Sequence, residues 1–358
     1  MRNVLFLLPV GGGSGGAHSV MQEADAMWGL GVQAFVASNT ANAAKLRHLY
    51  RELPRIRHSI VSYGNPKELA ALLDKHAIDV AIATTNQSVH TLADALAARE
   101  STRSIRTAYY IQDYEPLFYE IKSDDWHAAY ASYGRIPGMI CFAKTRWLQE
   151  VVENNHGVAV SKVEPSVDHE IYYPDLGSRL ADKAVLSIVA MLRPSTPRRA
   201  PRRTCRILNR LSAAYPGRVA CSAFGAADDE IHAAGLRLVG VENHGVLDRR
   251  DVGQLFRSAD LFLDLSDYQA FGRSAVEAMA CGALSLVPAH GGAHEFAQDG
   301  ENGFIVDTRS DAQVLEAIAA FLSMTQAERV SAALAAIDTG FRYSPQKAAL
   351  SELQLLLN

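Results

Sequence analysis

Three stretches of this chain combine residue types that bind anions or hydroxyls at spacings that would gather them. Residues 11–16 are five glycines and one serine. They follow an apolar run and open a helical pattern, so the backbone can approach a ligand closely while the helix start offers N–H groups. That suits a phosphate or a sugar, with Gly15 and Gly16 lining the approach and His18 in the first helical turn facing the same place. The dinucleotide fingerprint G-x-G-x-x-G fits loosely, because nearly every position is glycine and Ser38-Asn39, not an acid, end the second strand. A flexible turn is the competing reading.

The second stretch holds Arg193, Arg198, Arg199, Arg202, Arg203 and Arg206, six arginines within 14 residues. They follow the apolar strand pattern of residues 184–192. Arginine recognises phosphate through two parallel hydrogen bonds. Arg193 and Arg198 are the expected phosphate ligands, and the later arginines fall on a helix surface. A solvated loop, or a patch for RNA or membrane, is the alternative. In the third stretch, residues 268–282, a strand pattern leads through a loop into a helix. N–H groups around Phe271, Gly272 and Arg273 would form an anion site at the helix start. Glu277, one turn inside, would accept from a ribose diol, and Gly282 ends the helix.

A further group is Gln112, Asp113 and Glu115, which follow the strand pattern of residues 107–111. Asp113 would bind sugar or acceptor hydroxyls or act as a base on the acceptor; alternatively it caps the next element and Glu115 is a surface charge. Eight of the chain's aromatics fall between residues 109 and 133, where they suit sugar faces, an interfacial lipid or core packing. There is no Asp-x-Asp pair, and the 12 histidines show no ligand spacing. With arginines available for the phosphates, metal independence is expected, and no cofactor. The cysteines at 141, 205, 221 and 281 form no C-x-x-C pair and read as reduced thiols.

Short apolar runs alternate with helix-length patterns along the whole chain. Strands are expected at 4–10, 32–37, 59–63, 80–84, 107–111, 138–143 and 158–164. A second series falls at 184–192, 218–224, 236–241, 261–265, 284–288 and 303–306. Such alternation means parallel sheets covered on both faces. The fold class is α/β, with one architecture used twice. The polar, turn-rich stretch of residues 165–183 separates domains at 1–170 and 171–358, and the final helix is free to pack back on the first. At 358 residues, 48% hydrophobic and 21% charged, the composition excludes collagen, a largely disordered chain and a small disulfide scaffold. A net charge of −4 gives no general case for nucleic acid. The opening run stops at Pro9 before a glycine loop, so it reads as a buried strand and not a signal peptide. No run is long enough to span a membrane.

The 268–282 segment resembles the signature of GT-B glycosyltransferases of family-4 type: an acidic residue, then x-Phe-Gly, then Glu-Ala-Met-Ala-Cys-Gly, a strand and a Gly-Gly turn. Residues 288–306 and 245–263 continue the likeness, which covers the C-terminal half. It implies a GT-B fold, two doubly wound Rossmann-like domains facing an interdomain cleft, with the second holding a nucleotide-sugar donor. By the same resemblance, Glu277 is similar to the donor-ribose carboxylate, and Arg193 and Arg198 to the family's Arg and Lys phosphate ligands. Gly245, Val246 and Leu247 resemble the loop that meets the nucleobase through backbone atoms. Glu295, after the Gly-Gly turn, lies where the family contacts the donor sugar or diphosphate. Gln269 stands where the family has a catalytic-site Glu. Gln keeps the hydrogen-bonding reach and loses the charge.

Residues 109–119 and 191–198 resemble a bacterial rhamnosyltransferase subgroup that builds surface polysaccharides such as O-antigen from dTDP-β-L-rhamnose. The resemblance therefore implies a retaining hexosyltransferase, with Asp113, Gln112 and Gln269 at the reaction centre and Gly15, Gly16, His18, Glu115 and Glu295 on the sugar and acceptor side. The donor is a nucleotide-sugar co-substrate and the acceptor a glycan or lipid-linked glycan hydroxyl. The expected place is the cytoplasm, with peripheral contact at the inner membrane face left open. A UDP- or GDP-sugar transferase, a weak sugar-nucleotide-binding protein and a GT-B isomerase remain alternatives.

Overall fold

The computed structural model describes residues 2–357. The chain forms two compact units: Met1–Ser166 with Ser344–Asn358, and Val167–Tyr343. The division thus falls at Ser166, slightly before residue 170, and the second unit ends at Tyr343 instead of running to 358. The reason is the apolar stripe of the final helix, Pro345–Leu357. Its Ala349, Leu353 and Leu356 join the first unit's core with Val20, Met27 and Phe6.

The first unit is a seven-stranded parallel sheet. Its strands are β1 (Asn3–Leu7), β2 (Gln33–Asn39), β3 (Ile60–Tyr63), β4 (Val80–Ala83), β5 (Arg106–Ile111), β6 (Ile140–Ala143) and β7 (Val160–Lys162), in the order β3-β2-β1-β4-β5-β6-β7. β1 and β4 are buried at nearly every position, as a sheet covered on both faces requires. The second unit has six parallel strands: β8 (Leu186–Met191), β9 (Val219–Phe224), β10 (Glu242–Asn243), β11 (Leu261–Leu263), β12 (Leu284–Pro288) and β13 (Gly303–Val306). Their order is β10-β9-β8-β11-β12-β13.

In both sheets the chain winds outward, returns and winds the other way. The switch points lie between β1 and β4 in the first unit and between β8 and β11 in the second. Loops leaving the carboxyl ends of those strands diverge there and leave room for a ligand. One expected strand is absent: residues 236–241 pair with no neighbour as a strand, and the edge strand forms at Glu242–Asn243. Gly240 takes a left-handed φ of 65°. Side chains of the helix Pro201–Ala214 claim the backbone on either side: Asn209 bonds Arg237 O and Val239 N, and Ser212 bonds Gly240 O.

Candidate functional site

In the first unit the helix Gly15–Gly29 starts directly after the glycine loop, with Ser14 Oγ accepting from Ala17 N at 3.2 Å. Gly16 lies against the Gln112 amide, which a Cβ at position 16 would displace. Gln112 leans from the end of β5 across the switch point, its Nε2 donating to Thr84 O at 3.3 Å after β4. Its Oε1 is buried and accepts no hydrogen bond among the described residues. Asp113 Oδ1 accepts from Tyr114 N at 2.9 Å. His18 is held by Tyr50, whose hydroxyl lies 2.6 Å from Nδ1.

Glu115 is not a surface charge. It is 7% exposed and sits at the start of the helix Asn86–Ala97. It accepts from Asn86 N at 3.0 Å and from the Asn86 side chain, with the Tyr109 hydroxyl 3.5 Å away. Burial pushes its pKa up to about 7, against the Asn86 bonds that favour the carboxylate and with help from the nearby Asp113 charge. Gly16, Gln112, Thr84 and, one loop further, Glu115 therefore form a single rim along the carboxyl ends of β1, β4 and β5. Beside it Tyr114, Tyr130 and Tyr133 pack on His156, whose pKa burial lowers to about 4. Tyr114 and Tyr133 are buried there, and Tyr130 is half-buried at the edge.

In the second unit a pocket opens over the β8/β11 switch point, lined by Arg193, Arg199, Asp264, Ser266 and Ser274 among others. The 3-10 turn Pro197–Arg199 and the left-handed Ala200 (φ 49°) place Arg199, and not Arg198, among the residues that line it. Arg198 turns to the face of Tyr268, 5.5 Å from the ring centroid, while its carbonyl accepts from Asp267 N. Arg203 and Arg206 pair with Asp267 and Asp311.

The helix Arg273–Ala280 begins beside this pocket. Its N-cap is Gly272 at φ 97°, which provides no side chain to cover the helix start. Phe271 packs edge-on against Phe296 and Tyr343. Glu277 is buried, and its Oε1 accepts from Arg273 Nε at 2.6 Å. Burial raises the Glu277 pKa while Arg273 and Arg249 oppose the rise. Arg249 is itself paired to Asp168 at 2.5 Å, and Tyr172 lies buried within the field of both pairs.

Gln269 is 5% exposed, and its Nε2 donates to Asp264 Oδ2 at 2.5 Å and to Ser266 Oγ at 3.1 Å. Its carbonyl accepts from Gly292 N at 2.8 Å, and Gly291 (φ 115°) lies so close that a Cβ would strike that carbonyl. The Gly-Gly turn is thereby clamped onto the loop before Phe271. The 3-10 turn Gly292–Glu295 follows, with Glu295 O accepting from Tyr343 OH at 2.9 Å. On the other side, Gly245 O accepts from Gly225 N at 2.7 Å. A Cβ on Gly225 would lie 2.9 Å from Leu192 O, so the 245–247 turn abuts the residue before Arg193. Val246 is 71% exposed, and Leu247 packs inward.

Sequence reasoning named Arg199 in the arginine cluster but placed it with the helix-surface arginines, and it missed Asp264, Ser266 and the Asp168–Arg249 pair. A residue directly after a buried strand was the available signal for Asp264. Among the described residues no three His, Cys, Asp or Glu gather as a metal site, and no helix is long and apolar enough to cross a membrane.

Residues 229–335 match the family model described as Glycosyl transferases group 1. Sucrose synthase 5 of Arabidopsis thaliana is 37% identical over 78 residues, 21% of this chain and 9% of that protein's length. Solved structures resemble the whole chain. HepE of Anabaena, in complex with UDP and glucose, superposes with a TM-score of 0.78 at 20% identity, covering 100% of both chains. Sucrose-phosphate synthase from Thermosynechococcus elongatus gives 0.74 at 15%, covering 99% of this chain and 98% of its own. TarM gives 0.75 at 11%, covering 100% and 99%. The fold is GT-B, two Rossmann-like domains, and its second unit carries the group 1 glycosyltransferase match.

Proposed function

We propose that this chain is a retaining glycosyltransferase that moves a hexosyl unit from a nucleoside-diphosphate sugar to a hydroxyl of a glycan or lipid-linked glycan at the cytoplasmic side of a membrane. The observation that carries the reading is the grouping, at the β8/β11 switch point, of Arg193, Arg199, Ser266 and Ser274 around one small pocket beside an uncapped helix start. Two guanidinium groups and helical N–H groups suit a diphosphate.

In the transfer, the bond from the anomeric carbon to the phosphate oxygen breaks, and the acceptor oxygen bonds to the same face of that carbon. The acceptor proton passes to the leaving phosphate oxygen. Negative charge grows on the diphosphate, where Arg193, Arg199 and the helix start stabilise it. Glu277 takes the ribose diol, the 245–247 backbone the base, and Glu295 the donor sugar. Gln112 and Asp113 bind acceptor hydroxyls from the first unit, and no metal is required.

Two donor readings have support. The likeness of residues 109–119 and 191–198 to rhamnosyltransferases favours dTDP-β-L-rhamnose. The HepE complexes with UDP and with UDP-glucose favour a UDP-sugar. Calorimetry with TDP, UDP, GDP and ADP in the presence of EDTA, followed by product analysis with the matching sugars, separates them. Binding to none of the four, or binding only when a divalent ion is added, would overturn the reading in whole or in its metal independence.

A further inference from the structure

The pocket over the β8/β11 switch point holds a carboxylate that a diphosphate site does not need. Asp264 follows β11, is 7% exposed, and lines the pocket together with Arg193 and Arg199. Among the described residues it forms an ion pair with neither arginine. A buried negative charge opposes the binding of another anion. Its place here calls for a second task.

The hydrogen bonds show what Asp264 holds. A carboxylate only accepts. Asp264 Oδ1 takes Ser266 N at 3.2 Å and Ser266 Oγ at 2.5 Å, so the serine hydroxyl proton is spent on it. Ser266 Oγ is left to accept, and Gln269 Nε2 donates to it at 3.1 Å. The same nitrogen gives its other hydrogen to Asp264 Oδ2 at 2.5 Å. Both amide hydrogens are used, and turning the amide over would set oxygen against oxygen. The backbone is fixed as well. Gln269 N donates to His290 O at 3.4 Å, its carbonyl accepts from Gly292 N at 2.8 Å, and Ser266 O accepts from Thr308 Oγ1 at 2.6 Å. What remains of the Gln269 side chain is Oε1, which accepts from no described residue and is not enclosed.

Both side-chain partners of Gln269 line the pocket, so Oε1 lies at its margin. In a sugar nucleotide the group next to the diphosphate is the sugar. We propose that Asp264 is a positioning residue for donor recognition: through Ser266 and the Gln269 amide it fixes Oε1 as the acceptor for a hydroxyl of the donor sugar. The proposal rests on the reading of this pocket as a sugar-nucleotide site. It adds the polarity of the contact, because a group that accepts without donating gains nothing from Oε1.

The test is calorimetry of the full chain with UDP, UDP-glucose, TDP and dTDP-rhamnose. The readout is the affinity of a sugar nucleotide relative to that of its own diphosphate, compared between variants for whichever pair binds. Asp264→Asn lets the amide turn and lowers the ratio roughly 10-fold, and Gln269→Leu lowers it by a similar factor. Asp264→Asn and Gln269→Leu together lower it no further, because Asp264 acts through the amide. Asp264→Asn with Gln269→Glu restores the ratio, since the asparagine N–H donates and the glutamate accepts in the reversed pair. That rescue also shows that the fold tolerates both changes. If Asp264→Asn weakens the diphosphate and the sugar nucleotide by one common factor, its role is merely structural and the proposal is overturned. Additive losses in the first double variant, or no rescue in the second, overturn it too. A wild type that binds a diphosphate but no sugar nucleotide overturns the proposal while the nucleotide pocket stands. A wild type that binds none of the four removes the sugar-nucleotide reading and the proposal with it.

Discussion

The Gln269 amide is bound to the Asp264 carboxylate, Nε2 to Oδ2, at 2.5 Å in a site where both residues are buried. Asp264 Oδ1 meanwhile takes Ser266 N at 3.2 Å and Ser266 Oγ at 2.5 Å. A glutamate at 269 would set a second carboxylate against Asp264 in place of the amide donor, so the neutral amide here is the partner that suits Asp264. Asp264 also lines the Arg193–Arg199 pocket, so the pair fixes both the loop before the helix Arg273–Ala280 and the charge of the pocket wall.

Gln269→Glu is therefore expected to destabilise the protein by on the order of 2 kcal/mol at neutral pH, with the loss shrinking in acid as one carboxyl takes a proton. Adding Asp264→Asn restores the donor–acceptor pair in reverse and recovers most of the loss. Denaturant unfolding of the single and double variants checks this. If Gln269→Glu is as stable as the wild type, the Asp264 bond is not what holds the loop.

The pocket ranks the arginines. On the proposed reading, in which Arg193 and Arg199 hold the diphosphate, Arg193→Ala and Arg199→Ala are each expected to weaken nucleoside-diphosphate binding roughly 10- to 100-fold, the scale of a charge-assisted hydrogen bond. Arg198→Ala removes a contact to Tyr268 and should cost less than either. Calorimetry on the three variants decides it, and a larger loss at Arg198 than at Arg199 would reverse the assignment.

That ranking marks how far the sequence could be read. The start of the helix Arg273–Ala280 and the place of Glu277 were legible, because a glycine after a loop and a helical pattern are local signals. Which of two adjacent arginines faces the pocket was not, since it depends on Ala200 adopting φ 49° behind the Pro197–Arg199 turn. Asp264 was hidden inside an apolar run read as strand through residue 265. The strand stops at Leu263. The Asp168–Arg249 pair joins positions 81 residues apart, and no spacing rule reaches that far. The alternating strands revealed both sheets, yet Asn209 and Ser212 overrode the pattern at 236–241 through contacts only the folded chain supplies.

Glu115 and His156 pull the pH dependence in opposite directions. Glu115 binds its proton more tightly when folded, up to about 7. Its contribution is full below the ordinary carboxyl pKa and is lost as pH rises through about 7. His156 binds its proton less tightly when folded, down to about 4. Its contribution is full above the ordinary imidazole pKa and is lost as pH falls toward 4. Over the shared window near pH 5–6 the two slopes largely cancel. Glu115→Gln should expose stability that climbs with pH there, and His156→Phe stability that declines. Thermal melts across the window test both, and parallel profiles for the two variants would contradict the opposed shifts.

The last case concerns the helix that joins the first unit from the far end of the chain. Glu352 is fully buried on it, within hydrogen-bond reach of the Glu23 carboxylate, to which a protonated Glu352 can donate. Burial and the charge of Glu23 drive its pKa well above the ordinary range, with Lys144 opposing. Lys144 is committed elsewhere, to Glu23 at 2.6 Å and to Ser19 at 2.8 Å. The fold therefore favours the protonated form of Glu352 over the charged one. Its stabilising share is full below the ordinary carboxyl pKa and declines as pH rises toward the raised value. Glu352→Met keeps the volume and removes the acid. The variant should be more stable than the wild type by about 1–3 kcal/mol in mildly alkaline buffer, with the gap narrowing in acid. Unfolding curves at both pH values measure the gap. A Met variant less stable at both would mean that Glu352 supplies a bond the final helix needs in order to dock.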